Sequence, residues 1–147
     1  MAIQGVAQHL ARRNAPGAVF LQADMASVAF RPASFAGVVA FYSLIHVPRV
    51  HHAGLLARVR RWLRPGGVLV ASLGWHDKAV VSDPDWLGGG PMHWSFFDAQ
   101  TNLRLLRQAG LQVEEAKVVP QLEDEVRVSF LWVVAHKPAG HNDEGAA

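Results

Sequence analysis

The chain has 147 residues, 50% hydrophobic and 18% charged, with no cysteine. That is the composition of one globular domain, and it excludes a collagen, a coiled coil, a disulfide scaffold and a thiolate metal site. The formal charge of +2 hides an asymmetry: residues 1–70 carry 8 Arg and one acid (+7), and residues 71–147 carry 6 Lys plus Arg and 11 acids (−5).

Ile3 to Asn14 has helical periodicity, with Ile3, Val6, Ala7, Leu10 and Ala11 on one stripe, and Asn14-Ala-Pro-Gly17 ends it. Ala18 to Gln22 reads as a short strand, after which the chain loops through Asp24 and Met25 to Arg31-Pro32. Gly37 to Tyr42 is a continuous apolar run of the kind covered on both faces in a parallel sheet, which predicts a central strand. Pro48 suits a first helical turn, and Leu55, Leu56, Val59, Trp62 and Leu63 form a stripe that stops at Arg64-Pro-Gly-Gly67. Val68 to Leu73 is a second buried strand; strand, crossover helix and strand imply a parallel sheet with helices on its faces.

Residues 74–95 read as a long irregular loop, which in a compact domain serves as a lid or binding loop. Asp98 is a good N-cap for a helix carrying Leu103, Leu105, Leu106 and Ala109, and Gly110 closes it. Leu111–Val119 and Val126–Ala135 predict an antiparallel pair joined by the acidic turn Gln121 to Glu125. The small, polar residues 139–147 predict a disordered tail. No apolar stretch reaches the ~18 residues of a membrane span, and Met1 to Gln8 lacks the regions of a secretion signal, so a cytoplasmic protein is expected.

Three strings in this order resemble parts of the class I S-adenosylmethionine-dependent methyltransferases. Phe20-Leu-Gln-Ala-Asp24-Met25 looks like the family's third strand and its adenine-contacting acid. Ser34 to His46 looks like the fourth strand and its cofactor-facing end, and Leu63-Arg-Pro-Gly-Gly-Val-Leu-Val70 like the turn into the fifth. The likeness runs from about residue 3 to 137 and covers the family's C-terminal two-thirds. It implies an α/β, Rossmann-like sheet, here incomplete, of parallel strands with a C-terminal antiparallel hairpin, in a single domain over residues 1–138.

Two departures stand beside the likeness. The family's Gly-x-Gly-x-Gly loop and the acid closing its second strand have no counterpart, and Ala36 stands where the family often has Asp. In the family's strand order 3-2-1-4-5-7-6, the strand at 18–22 would sit roughly 14 Å from the strand at 37–42, with two vacant places between them. The two must then shift into a new pairing, or one of them keeps an open edge, an association hazard. A truncated gene, a late start codon and a fragment needing a partner all fit this expectation.

The resemblance assigns S-adenosylmethionine contacts residue by residue. Asp24 is the candidate adenine acceptor, against the plainer reading of an Asp that starts a turn. Met25 would offer its amide and thioether to the ring, or pack. Phe41, Tyr42 and Ser43 would flank the ribose and methionine portion, with core packing and a satisfied hydroxyl as the competing readings. His46 could act as general base or position substrate, or be an ordinary helix-start histidine. Trp75, Trp86, Met92 and Trp94 could wall a substrate pocket, or pack a lid on the core.

Other ligands fit less well. Neighbouring His51 and His52 point about 100° apart on a helix and no His-x3-His spacing occurs, so no metal is expected. Arg58, Arg60, Arg61 and Arg64 fall mainly outside the apolar stripe, on a solvated face, which argues against nucleic acid as partner. The leading expectation is methyl transfer to a small molecule, with weak or no cofactor binding by these 147 residues alone because the glycine loop is missing. Its rival is a non-catalytic module that forms a homo-oligomer through an exposed sheet edge.

Overall fold

The computed structural model describes residues 9–86, 90–123 and 125–140. The predicted helix at 3–14 is helical from residue 9 to 14, and its first turns lie outside the described residues, as does the predicted tail from 141 onward. Strand β1 (Phe35–Ala40) leads through a 3-10 turn (Leu44–His46) into helix α1 (Arg49–Trp62) and strand β2 (Leu63–Leu73). Strands β3 (Lys78–Asp83) and β4 (Met92–Phe96), helix α2 (Ala99–Gln108), and strands β5 (Gln112–Glu123) and β6 (Val126–His136) follow.

The main sheet has the order β1-β2-β6-β5, and β3 and β4 form a separate two-stranded sheet. β1 and β2 are parallel, whereas β6 is antiparallel to both β2 and β5. This is the order the resemblance implies for the family's strands 4-5-7-6. Leu69, Ala71 and Leu73 of β2 and Leu131, Val133 and Ala135 of β6, at alternate positions, are almost fully buried and form one core with Leu55, Leu56, Val59 and Trp62 of α1 and Leu106 of α2. Period-two burial on the strands meets period-3.6 burial on the helices, which is what layers one face of the sheet against both helices.

Five sequence expectations are corrected. Residues 18–22 form no strand: Val19 is 98% and Leu21 65% exposed, because a strand needs a neighbouring strand to pair with and no described strand lies beside this segment. The strand at 37–42 is shifted to Phe35–Ala40 and is an edge strand, not a central one; Val39 on it is 63% exposed. β2 begins at Leu63, five residues before the expected Val68: Leu63 pairs with Phe35, and the register skips to Gly37 with Val68. A side chain at Gly67 would come within 2.9 Å of the Arg64 carbonyl oxygen, so this tight passage requires glycine.

The fourth correction is the stretch 74–95, which is largely an antiparallel hairpin in place of an irregular loop. Its Asp, Pro and Gly content masked the short alternation His93-Trp94-Ser95-Phe96. The remaining elements follow their predicted signals, except that Gln121 to Glu123, expected in the acidic turn, continue β5 and pair with Val128, Arg127 and Val126, because the alternating Arg127 and Val128 of β6 extend the ladder past Val119. Asp98 accepts from the Thr101 amide at 2.7 Å as N-cap of α2, and Gly110 beyond the helix has φ +80°.

Candidate functional site

In an open α/β sheet the ligand crevice lies outside the carboxyl ends of the parallel strands, here at Phe41 to His46 after β1 and at Gly74 to Asp77 after β2. Tyr42 turns the chain out of β1 with φ +50°, a left-handed conformation that is costly for a bulky side chain. Its surroundings fix it there. The Tyr42 amide donates to Oγ of the fully buried Ser72 at 2.7 Å, and its hydroxyl donates to Oε1 of Gln121 at 2.9 Å. The ring stands edge-on to Phe130 at 5.0 Å and to Trp132 at 6.0 Å, and Phe41 leans on Trp132 at 5.0 Å. Ser43 then caps the 3-10 turn without a side-chain hydrogen bond of its own to it.

The other lip is held by α2. A side chain at Gly74 would meet Cβ of Phe96 at 2.8 Å, so the backbone here packs closer than any larger residue permits. Asn102, buried on α2, donates from Nδ2 to the Gly74 carbonyl at 2.8 Å and to the Phe97 carbonyl at 3.1 Å. From the start of α1, Arg49 bonds the Asp77 carboxylate and the Phe96 carbonyl while lying 4.6 Å over the Phe97 ring. The segments after β2 and β4 are thus pinned to both helices.

Between these lips and the hairpin lies a cleft of about 450 Å³ that Trp75, Trp86 and Trp94 line together with Phe96 and Phe130. Trp86 and Trp94 meet edge to face at 5.9 Å. Met92, opposite Asp83 in the hairpin, is not part of this lining. His46 is placed elsewhere: it lines a second cleft of about 520 Å³ with Arg49, Val50 and His93, and Trp94 is the wall common to both. His46 is exposed, and its Nδ1 contacts the His93 carbonyl oxygen at 2.9 Å, so Nδ1 carries the proton and Nε2 is left as the acceptor.

The loop that carries Asp24 and Met25 is tied to α1 through the Ala26 carbonyl. The two carboxylate oxygens of Asp24 accept from the Ala26 amide at 2.9 Å and from the Ser27 hydroxyl at 3.1 Å, and Asp24 remains exposed. Arg58 donates to the Ala26 carbonyl at 2.6 Å, and Met25 packs against the main core. The turn-starting bonds are those of the plainer reading of Asp24, yet they leave each oxygen a further lone pair.

Sequence reasoning did not single out Lys78, Phe96, Arg127 or Phe130, which also line the aromatic cleft. The period-two spacing of Trp94 and Phe96 was the available signal for one of them. His76 is stacked on Phe96 at 5.6 Å, and its Nδ1 is buried with no hydrogen-bond partner. Among the described residues no three His, Asp or Glu gather as a metal site would require, and no helix is long and apolar enough to cross a membrane.

A model of the methyltransferase domain family matches residues 2–67. Solved structures similar to the chain include an S-adenosylmethionine-dependent methyltransferase from Methanosarcina mazei, with TM-score 0.68 and 17% identity over 80% of this chain and 66% of that one. A second is the 1,6-didemethyltoxoflavin N1-methyltransferase of Burkholderia thailandensis with 1,6-didemethyltoxoflavin and S-adenosylhomocysteine bound, with TM-score 0.67 and 21% identity over 89% of this chain and 56% of that one. A third is the [4+2]-cyclase SpnF, with TM-score 0.67 and 17% identity over 92% of this chain and 62% of that one. No curated protein matches. The chain therefore spans 56 to 66% of the length of these three structures.

The fold is that of the class I S-adenosylmethionine-dependent methyltransferases, an open α/β sheet of Rossmann-like type. Within that fold, the four-stranded sheet corresponds to the 4-5-7-6 half of the family's strand order, and the family model matches residues 2–67 alone.

Proposed function

We propose that the chain takes part in methyl transfer from S-adenosylmethionine to a small molecule in the cytoplasm. The observation that carries this reading is the strained Tyr42 turn, which Ser72 holds at the carboxyl end of β1 beside an aromatic cleft. Strain of this kind persists where surrounding structure enforces it, and ligand clamps are among its commonest sites. The Burkholderia thailandensis neighbour, with 1,6-didemethyltoxoflavin and S-adenosylhomocysteine bound, supports a small acceptor by analogy of fold alone.

The residues fit the cofactor in two respects. The exposed Asp24 oxygens keep acceptor capacity for an adenine amine, with Met25 beside them, and Phe41, Tyr42 and Ser43 offer an aromatic face and a polar turn to the ribose and methionine portion. When bound, the cofactor supplies an electrophilic sulfonium methyl. The protein's share is alignment: Trp75, Trp86 and Trp94 confine the acceptor and exclude water, and His46 through Nε2 is the candidate to receive a proton at the neighbouring mouth. Met92 we assign to support of the hairpin.

Titration calorimetry with S-adenosylmethionine and S-adenosylhomocysteine tests the reading. Binding in the micromolar range or weaker that falls roughly tenfold in Asp24→Ala is expected, the loss of one hydrogen bond to a charged group. A folded chain that binds neither compound contradicts it. The open edge of β1 favours a second reading, self-association through main-chain pairing. Light scattering that gives a monomer mass at all concentrations counts against that one.

A further inference from the structure

The aromatic cleft carries a narrower statement about the acceptor, one that rests on the methyl-transfer reading above. We propose that the acceptor is a flat aromatic ring bearing an anionic group such as a carboxylate.

The ring is argued from the walls. Trp94 and Phe96 lie two residues apart on β4 and so share a face, and Trp75, Trp86 and Phe130 close around them. At about 450 Å³ the cleft has the size of a site for a one- or two-ring molecule, and offset or edge-on ring contacts are what such walls offer. Aromatic walls alone would equally receive an organic cation over their faces.

The charges decide between the two. Lys78 sits directly opposite Phe96 in the hairpin register, and Arg127 enters from β6. Among the described residues neither side chain has an ion pair or a hydrogen-bond partner, although both stand on strands that fix their position. Glu123, the one carboxylate in the described lining, already accepts from Nε2 of Gln121 at 2.6 Å. That hydrogen bond leaves Glu123 charged, so Lys78 and Arg127 give the described lining one positive charge in excess, which attracts an anion and repels a cation. His76, with its buried and unbonded Nδ1, adds a polar group at the same wall for a ring substituent.

The test uses nitrogen-15-labelled protein and follows its five tryptophan indole signals during titration with 4-hydroxybenzoate, 4-hydroxybenzyl alcohol and tyramine. The acid is expected to bind about tenfold tighter than the alcohol, the size of a charge-assisted contact at a partly exposed site, with tyramine weaker still. Added salt should narrow the gap. The double variant Lys78→Met, Arg127→Met, with circular dichroism like that of the parent, should lose the preference and keep the affinity for the alcohol. Equal affinities, a preference for tyramine, a preference that survives the double variant, or no indole shift with any probe would overturn the proposal. S-adenosylhomocysteine added to the same sample separates the two readings: if it binds while the acid preference is absent, only the acceptor class fails. If the preference holds while it does not bind, methyl transfer fails.

Discussion

Replacing Asn102 by alanine tests how the crevice is held open. Its side-chain amide donates to two carbonyls, Gly74 at 2.8 Å and Phe97 at 3.1 Å, and the residue is 3% exposed. Loss of the part-buried bond to Phe97 costs about 1 kcal/mol net, and leaving the buried Gly74 carbonyl unpaired costs about 1–3 kcal/mol, so a total of about 2–4 kcal/mol is expected. For a chain of this length that lowers Tm by about 5 to 15 °C. Asn102→Asp should be worse than Asn102→Ala, because a carboxylate presents oxygen to both carbonyls and cannot donate. Equilibrium urea unfolding of the three proteins measures this directly. An alanine variant within about 0.5 kcal/mol of the parent would refute the clamp, since surface substitutions fall in that range.

Two further outcomes follow from buried polar groups near the crevice. His52 is buried and donates from Nε2 to the Val47 carbonyl at 2.8 Å; burial, and then the charge of Arg49, holds its pKa below the usual 6.5 although the backbone bonds oppose the shift. The unfolded chain therefore binds more protons at this site below pH 6.5, and the contribution of His52 is full above that value and is lost as pH falls toward its folded pKa. His52→Gln keeps the donor and removes the titration, so its urea midpoint should fall less between pH 7.5 and 5.5 than the parent's; parallel declines would contradict this. Ser72→Ala orphans the Tyr42 amide and should cost about 1–2 kcal/mol in the same unfolding assay, together with weaker S-adenosylhomocysteine binding. Unchanged stability and binding would show that the Tyr42 turn does not depend on Ser72.

The legible parts of the fold were those with local signals. The α1 stripe, the Asp98 cap, the Gly110 stop and the β5–β6 hairpin each rest on spacing or on one residue's backbone preference, and each appears, the hairpin with β5 running on to Glu123. What sequence misjudged depended on neighbours. Ala18 to Gln22 has strand composition, but no described strand lies beside it to take its hydrogen bonds, and Gly37 to Ala40 reads as central although one of its edges is open. Leu63 reads as the last apolar position of α1, yet its carbonyl accepts from Nζ of Lys137 at 2.8 Å, a partner 74 residues away.

The site divides in the same way. Trp75, Trp86 and Trp94 could be grouped in advance because aromatic residues crowd one segment, and the structure does bring them to one cleft. Lys78 and Arg127 could not, since their meeting depends on a hairpin folding across the start of β6. The separation of His46 from that cleft by the Trp94 side chain was equally invisible, as was the anchoring of Asp24 beside α1.

The proposed function requires that the carboxyl ends of β1 and β2 receive S-adenosylmethionine. Hydrogen–deuterium exchange of the chain with and without saturating S-adenosylhomocysteine tests it most directly, because amides at a liganded crevice gain protection. The account predicts slower exchange in the Phe41–His46 turn, in residues 72–76 and around Asp24, with the β5–β6 hairpin unchanged. Protection confined to other segments, or none at a concentration that calorimetry shows to be saturating, would contradict it.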